Sequence, residues 1–281
     1  MNLVQNKQAG LSMVELLVAL AISSFLIIGL SQVYIDHKRN YVFQQSQADN
    51  LENSRFAVFI LDELLGKAGY RRAPDQRMSD AFPESAELST HCDKFSDKSV
   101  ITSIKTAANS GQTGFCLRYQ PAENKELICD GSAAGLTHSS PFIYPRVSET
   151  VYVAILFKPH QQEANKGTLR CITKKGNMQL LEGIADLRFE FGSAAIESDT
   201  LTSTMSFKTP DSWNALDGPV RVVRYSVLAV SRNNQRDGDS TIYKQWLESA
   251  NSVSRMRLIQ QDNKQIYNIA MGTQVLRNMM P

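Results

Sequence analysis

The longest apolar stretch of the chain lies close to its N-terminus. Residues 11–30 read LSMVELLVALAISSFLIIGL, and Glu15 is the one charged side chain among them. A helix of this length extends about 30 Å, which matches the apolar thickness of a bilayer, and it satisfies its backbone groups internally. Lys7 precedes it within the polar residues 1–10, which favours a cytoplasmic N-terminus. The pattern predicts a membrane-spanning helix followed by an exported part.

The helical pattern continues past this stretch but changes character. Residues 31–68 are rich in polar side chains, and their apolar positions recur at helical spacing at Leu51, Val58, Leu61, Leu65 and Ala68. Proline first appears at Pro74, where it forbids further helix. We therefore predict one long helix from Leu11 to about Ala68, apolar all round in its first half and amphipathic in its second.

Patterns typical of strands follow a loop predicted over residues 70–98. The predicted strands are Thr113–Tyr119, Glu126–Cys129, Thr150–Phe157, Gly167–Thr173, Met178–Leu181, Ala185–Phe191, Val220–Ser231 and Ile266–Leu276. Turn-like residues between the first two, and between the fourth and fifth, predict two hairpins. Residues 193–218 are predicted as loop. The expected fold class is α+β, with a long N-terminal helix packed on an antiparallel β-sheet domain.

Glu15 is the position in the span that needs a chemical explanation. A carboxylate inside a membrane is costly unless it is paired, neutral or near the interface. If the chain is cut after Gly10, Leu11 carries a new α-amino group about one helical turn from Glu15. Pairing between this carboxylate and the amine of the same or a neighbouring chain would also fix the register of packed helices.

The stretch from Gly10 to Leu20 (GLSMVELLVAL) closely resembles the prepilin cleavage motif of type IV pilins and type II secretion pseudopilins. The resemblance implies that a membrane peptidase cuts after Gly10, that Leu11 becomes the methylated N-terminus and that Glu15 guides assembly. Leu11 departs from the phenylalanine usual in this family, which concerns methylation more than cleavage.

Two alternatives to the prepilin interpretation remain. Ala19-Leu20-Ala21 resembles the cleavage site of an ordinary signal peptide. Against it, Glu15 would interrupt the apolar core of such a peptide, and the apolar run continues to Leu30. The other alternative is an uncleaved membrane anchor.

Later segments resemble the PilW-type minor pilins more loosely. These are Leu181–Gly192 (LEGIADLRFEFG), a strand like Val220–Arg232 and a chain end like Val275–Asn278. With the length of 281 residues, they favour this group over the shorter major pilins. The J-type minor pseudopilins of type II secretion resemble the same group and are the alternative.

Four dispersed cysteines, Cys92, Cys116, Cys129 and Cys171, are more consistent with two disulfides than with a metal site. Spacing alone allows three connectivities. The family resemblance implies Cys129 with Cys171 and Cys92 with Cys116. A hairpin about the turn at Pro121 would instead place Cys116 across from Cys129.

Composition and motifs give no positive reason to expect catalysis. The net charge of +2 offers no case for a nucleic-acid binder. The four histidines lack metal-ligand spacing, and no nucleophile or phosphate-binding motif occurs. Asp237-Gly238-Asp239 is predicted as a solvated turn rather than a calcium loop. The basic pairs Arg71-Arg72 and Lys174-Lys175 are predicted as charged loop tips. We expect no enzyme, no cofactor and no metal.

The predicted organisation is a cleaved leader at residues 1–10, a transmembrane and filament-core helix at 11–35, its amphipathic continuation at 36–69 and a periplasmic β-rich domain at 70–281. The resemblance implies a minor pilin that primes and assembles type IV pili near the filament tip. The expected partners are other minor pilins and the major pilin through the N-terminal helix, the prepilin peptidase, and a tip adhesin as a further candidate. The expected location is the inner membrane, then the pilus.

Overall fold

The computed structural model describes residues 10, 12–107, 110–138, 140–163, 166–193 and 205–279. The helices within these ranges are α1 (Met13–Lys67), α2 (Met78–Ala81), α3 (Thr241–Glu248) and α4 (Ser252–Gln260). The strands are β1 (Ile101–Ser103), β2 (Thr113–Tyr119), β3 (Val151–Pro159), β4 (Gly167–Ile172), β5 (Asn177–Ser193), β6 (Ser206–Lys208), β7 (Val220–Val230) and β8 (Tyr267–Val275). The chain divides into two compact units between Gln45 and Ser46.

The first unit consists of the N-terminal part of α1. Its large apolar side chains are exposed along the helix, for example Leu17, Phe25 and Ile28. Among the described residues, α1 is the helix whose length and composition would allow it to cross a membrane. Ser24 and Ser31 donate their hydroxyl hydrogens to the carbonyls of Ala21 and Ile27 at 2.9 and 2.7 Å. These serines therefore need no outside partner in apolar surroundings.

The second unit is built on one antiparallel sheet. The strand order is β1-β2-β3-β4-β5-β7-β8, and β6 pairs with the end of β5. Every pairing between these strands is antiparallel. Within this unit the C-terminal part of α1 covers the main core with Ala57, Leu61 and Leu65, all fully buried. The predicted fold class, a long N-terminal helix with an antiparallel β-sheet, is confirmed.

The face of α1 that packs on the sheet differs from the predicted stripe at its beginning. Leu61, Leu65 and Ala68 are buried as expected, but Leu51 is 45% exposed. The buried positions on either side of Leu51 are polar instead: Asn50 Nδ2 donates to the carbonyl of Ile266 at 3.0 Å, and Ser46, Asn50 and Ser54 are buried. The prediction was wrong here because small polar side chains at helical spacing also form a packing face when the facing segment offers hydrogen-bond partners.

Most predicted strands are found, with two corrections. The hairpin of β4 and β5 forms as predicted, but Met178–Leu181 and Ala185–Phe191 belong to one strand of 17 residues. Glu126–Cys129 is not a strand, because its described ladder contact is a single bridge from Leu127 to Ala133. The predicted first hairpin is therefore wrong, and β2 pairs with β1 and β3 instead.

The irregular segments before and after β2 are each tied to the sheet by a disulfide. Cys92 pairs with Cys116 on β2, and Cys129 pairs with Cys171 on β4. These are the pairs that the family resemblance implies. The alternative pairing of Cys116 with Cys129 fails, since residues 126–129 do not lie across from β2 as a strand. Each bridge limits the freedom of a long loop in the unfolded chain.

A buried carboxylate attaches α3 and α4 to the sheet. Asp186 on β5 accepts hydrogen bonds from Trp246 Nε1 at 2.8 Å, Ser254 Oγ at 3.1 Å and an Arg257 guanidinium nitrogen at 3.0 Å. Arg188 lies over the Trp246 ring at 3.9 Å. Burial lowers the pKa of the Arg257 and Arg188 guanidinium groups, and attraction to Asp186 opposes this shift.

Candidate functional site

The candidate site is the first turn of α1 with the residues that precede it. The carbonyl of Ser12 accepts the amide hydrogen bond of Leu16 at 3.2 Å, so Ser12 is the N-cap residue, directly before the first helical residue Met13. Glu15 lies three residues later and turns back: the amide of Ser12 donates to Glu15 Oε2 at 3.2 Å. This contact is half of a capping box, in which a carboxylate satisfies a backbone donor that the helix leaves free.

The electrostatics of this turn favour a carboxylate. The N-terminus of a helix carries partial positive charge, and Glu15 is the acidic residue of the first turn of α1. An α-amino group placed just before Ser12 would add a full positive charge within reach of the same carboxylate. The geometry therefore holds the Glu15 carboxylate at the N-terminal end of the helix. Leu11 itself is outside the described residues.

Gly10 has no packing role in this structure. A Cβ built on Gly10 would meet no heavy atom within 4 Å, and the same is true of Gly29 within the helix. By contrast, a Cβ on Gly272 of β8 would lie 2.1 Å from the Tyr225 ring, so that glycine is required by packing. Among the described residues, no packing contact requires a glycine at position 10.

Sequence reasoning found Gly10 and Glu15 but missed the role of Ser12. The signal was present, since Ser12-Met13-Val14-Glu15 has the capping-box pattern of a serine followed three residues later by glutamate. Our prediction starts the helix at Leu11 and so places this pattern inside it, whereas the helix begins at Met13, directly after Ser12.

The basic pairs do not form a charged surface site. Arg72 is buried and donates to the carbonyls of His138 and Ser140 at 3.0 and 2.8 Å. Lys174 pairs with Glu87 at 2.7 Å, and Lys175 donates to the carbonyl of Ala133. The prediction of loop tips was wrong for Arg72, because its guanidinium fastens one loop to another.

Among the described residues, the turn at Asp237-Gly238-Asp239 and the remaining titratable side chains form no second candidate site. Lys244 pairs with Asp239 at 2.7 Å, and Arg236 donates to the carbonyl of Gly238 at 3.0 Å. Within the described part of the chain, no group of three or more His, Cys, Asp or Glu side chains is arranged to hold a metal ion. The cluster at Asp186 is occupied by structural hydrogen bonds.

Comparison with known proteins points to the same N-terminal segment. Residues 5–31 match the family described as the prokaryotic N-terminal methylation motif. No curated protein sequence matches the chain significantly. Among solved structures, a type IV-like pilin from Thermus thermophilus aligns over 84% of this chain and 97% of its own, with 12% identity and a TM-score of 0.40.

The matched motif covers Gly10, Ser12 and Glu15 together with most of the apolar helix. The N-terminal segment of the chain therefore carries a prepilin-like methylation motif, and a long helix and an antiparallel sheet follow it. The motif does not distinguish a pilin from a pseudopilin, because the resemblance described above covers both.

Proposed function

We propose that this chain is a minor pilin that helps to prime and assemble type IV pili at or near the filament tip. The observation that carries the proposal is Glu15, a lone carboxylate held at the start of an exposed apolar helix, five residues after a glycine with no packing role. Cleavage after Gly10 would create an amine beside this carboxylate. Assembly would then replace the Ser12 amide with the amine of a neighbouring chain.

The apolar part of α1 supports this proposal. Its side chains are exposed around the whole helix, which costs free energy in water but not in a bilayer or in a bundle of similar helices. The proposed sequence is insertion in the inner membrane, cleavage by the prepilin peptidase and transfer into the filament with other minor pilins and the major pilin. A tip adhesin is a further proposed partner. The domain after the span would be periplasmic before assembly.

The direct test of cleavage is mass spectrometry of the mature protein from its own cells. We expect an N-terminus at Leu11, with or without one methyl group. A start at Met1, or near Ile22, would overturn the proposal. Gly10→Ala should leave the fold unchanged, since no atom lies near the added methyl group, while a bulkier residue at Gly10 should leave unprocessed precursor.

Two substitutions at Glu15 separate its role in capping from its role in assembly. Glu15→Ala removes both the acceptor for the Ser12 amide and the charge, whereas Glu15→Gln keeps an acceptor and removes the charge. We expect both variants to remain in the membrane and both to be depleted in sheared filaments. Glu52→Gln, on an exposed position of α1, is the matched control and should assemble normally. Normal incorporation of Glu15→Gln would show that the charge is not used.

A strain that lacks this protein distinguishes the proposed pilus function from the alternative function in type II secretion. Loss of surface pili with normal secretion is the expected result. Retained exoproteins with normal pili would instead identify a J-type minor pseudopilin, and neither defect would favour the remaining alternative, a membrane-anchored periplasmic enzyme.

A further inference from the structure

The sheet of the second unit ends on one side in an uncovered strand. β8 is nine residues long and pairs with β7 over its whole length without a bulge. The opposite edge, β1, has three residues, all buried, and the amide of Asp93 donates to the carbonyl of Ser103 at 3.0 Å along its outer side. Proteins usually shorten, cover or charge their edge strands, and β8 differs from β1 in length and cover.

The register shows which backbone groups of β8 point outward. Ser231 donates its amide to Ile266 at 2.9 Å, and Leu276 donates to Arg221 at 2.8 Å, each between residues directly opposite in the β7–β8 pairing. Antiparallel strands bond at alternate residues, so the even-numbered residues of β8 bond to β7. The amide and carbonyl groups of Met271, Thr273 and Val275 therefore face away from the sheet.

The residues that carry these outward groups are exposed. Met271 is 68% exposed and Val275 is 37% exposed, and Thr273 is exposed as well. Among the described residues, the one partner shown for these groups is the side chain of Gln274, 3.4 Å from the carbonyl of Val275. The first half of β8 is different, because Tyr267 is buried in a cluster with α3 and α4. The open edge is thus Met271–Val275.

The charged residues in this segment of the chain indicate what kind of strand can bind to the edge. Residues 263–279 contain Lys264 and Arg277 but no Asp or Glu, and neither cation forms an ion pair with another described residue. Within β8 itself every side chain is uncharged. A second copy of β8 would bring two more cations and no carboxylate in either strand direction. An uncharged strand with acidic residues at its ends complements the edge.

We propose that the edge Met271–Val275 binds an extended segment of a different protein chain, which adds to the sheet as a further strand and carries carboxylates next to its uncharged centre. Main-chain hydrogen bonds to Met271, Thr273 and Val275 hold the segment, and a flanking carboxylate meets Arg277, two residues past the edge. Strand addition at an open sheet edge is a general mode of peptide recognition.

Amide hydrogen exchange of the full chain in detergent micelles tests this site, with two synthetic peptides as probes. The first peptide has the sequence of residues 267–275 with two glutamates added at each end. The second is the natural sequence of residues 264–277, which represents a second copy. We expect the first peptide to slow exchange at Met271, Thr273 and Val275 by about tenfold or more, and the second to have a much smaller effect.

Proline variants supply the control. Thr273→Pro removes an outward amide and leaves the hydrogen bonds of Ala270, Gly272 and Gln274 to β7 in place. This variant should lose the response to the first peptide while those three amides stay protected. If it unfolds the edge, Met271→Pro repeats the test at the other outward position.

Three results would overturn the proposal. The first is unchanged exchange with both peptides, and the second is equal protection by both, which would make a second copy the occupant. The third is an unaltered response of a folded proline variant. None of these results bears on cleavage at Gly10 or on Glu15.

Discussion

Arg118 on β2 is fully buried, and its guanidinium holds the irregular segment before β1 against the sheet. Its Nε donates to the carbonyl of Ser99 at 2.6 Å, and its terminal nitrogens donate to the carbonyls of Pro83, Phe82 and Ser96 at 2.5, 3.0 and 3.0 Å. Burial lowers the pKa of this guanidinium. We predict that Arg118→Met destabilises the second unit strongly.

The size of the effect follows from which carbonyls lose their donor. Phe82 and Ser96 each accept a second hydrogen bond, from the amides of Lys98 and Ser99, and keep it in the variant. The described structure shows no other donor to the carbonyls of Pro83 and Ser99. Leaving these two partly buried carbonyls unpaired costs up to about 2–6 kcal/mol, since a fully buried unpaired group costs roughly 1–3 kcal/mol.

Two smaller effects oppose each other. The guanidinium lies 4.9 Å from the centre of the Phe95 ring and 5.4 Å from that of Phe82, and losing each contact costs about 0.5–1 kcal/mol. Methionine fills similar space and removes the cost of burying a cation, which regains part of this loss. We therefore expect the free energy of unfolding to fall by about 3–4 kcal/mol, within the range of large single-residue effects.

The assay is equilibrium urea unfolding of the full chain in detergent micelles, followed by near-ultraviolet circular dichroism. The matched control is Arg170→Met on β4, because Arg170 is partly exposed and its Nε donates to the single side chain of Asn177 at 2.9 Å. The control should lose less than about 1 kcal/mol. The disulfide content of both variants is checked by mass spectrometry, because Cys92 lies in the same segment.

An Arg118→Met variant that unfolds at the same urea concentration as Arg170→Met, with both disulfides formed, would refute this reasoning. It would mean that water or a shifted backbone satisfies the carbonyls of Pro83 and Ser99. Arg118→Lys provides a further check. Lysine keeps the charge but cannot reach four carbonyls in one plane, so it should recover only a small part of the loss.

Asp186→Leu should lower the free energy of unfolding by about 3–5 kcal/mol in the same assay, because the buried Arg257 loses its carboxylate. A decrease no larger than that caused by breaking the exposed ion pair of Glu182 with Arg232 would contradict this prediction. Replacing Cys92 and Cys116 by serine should cost about 3 kcal/mol, and replacing Cys129 and Cys171 slightly more, since the sequence separations are 24 and 42; urea midpoints of non-reduced samples test that order. Burial raises the pKa of Asp130, but hydrogen bonds from Ser132 and Thr173 outweigh this effect and leave the pKa below its usual range. The pKa of Glu149 is also lowered, because hydrogen bonds from Thr137 and Arg146 outweigh the effect of burial. Their contribution to stability is therefore complete above about pH 4 and is lost as the pH falls through the lowered values, so Asp130→Asn should flatten the acid side of a stability-against-pH curve; an unchanged slope would exclude this contribution.

Local patterns were sufficient for several elements with one apolar face. The alternating residues of Val220–Ser231 predicted β7 within one residue, and Thr113–Tyr119 matches β2 at both ends. The turn at Lys174–Asn177 correctly predicted the β4–β5 hairpin. Helices α3 and α4 went unpredicted, although Ser240 and Asn251 cap them through hydrogen bonds to Tyr243 and Ser254 at 3.2 and 2.8 Å.

The first turn of α1 shows what the sequence determines without the tertiary structure. Gly10, Glu15 and the apolar run are local features, so the sequence by itself determined that the chain carries a prepilin-like N-terminus. A membrane-spanning helix needs no distant partner to satisfy its backbone, which is why such a segment can be recognised without a fold.

Only the tertiary structure decided which distant groups meet. The buried positions of Arg118 and Asp186 and the edge position of β8 depend on strands and loops far apart in sequence. A charged residue in a strand looks the same in the sequence whether it faces water or four carbonyls. The difference depends on the order of the strands in the sheet and on the loops beside them, because a charged side chain can be buried only where distant segments supply its hydrogen bonds.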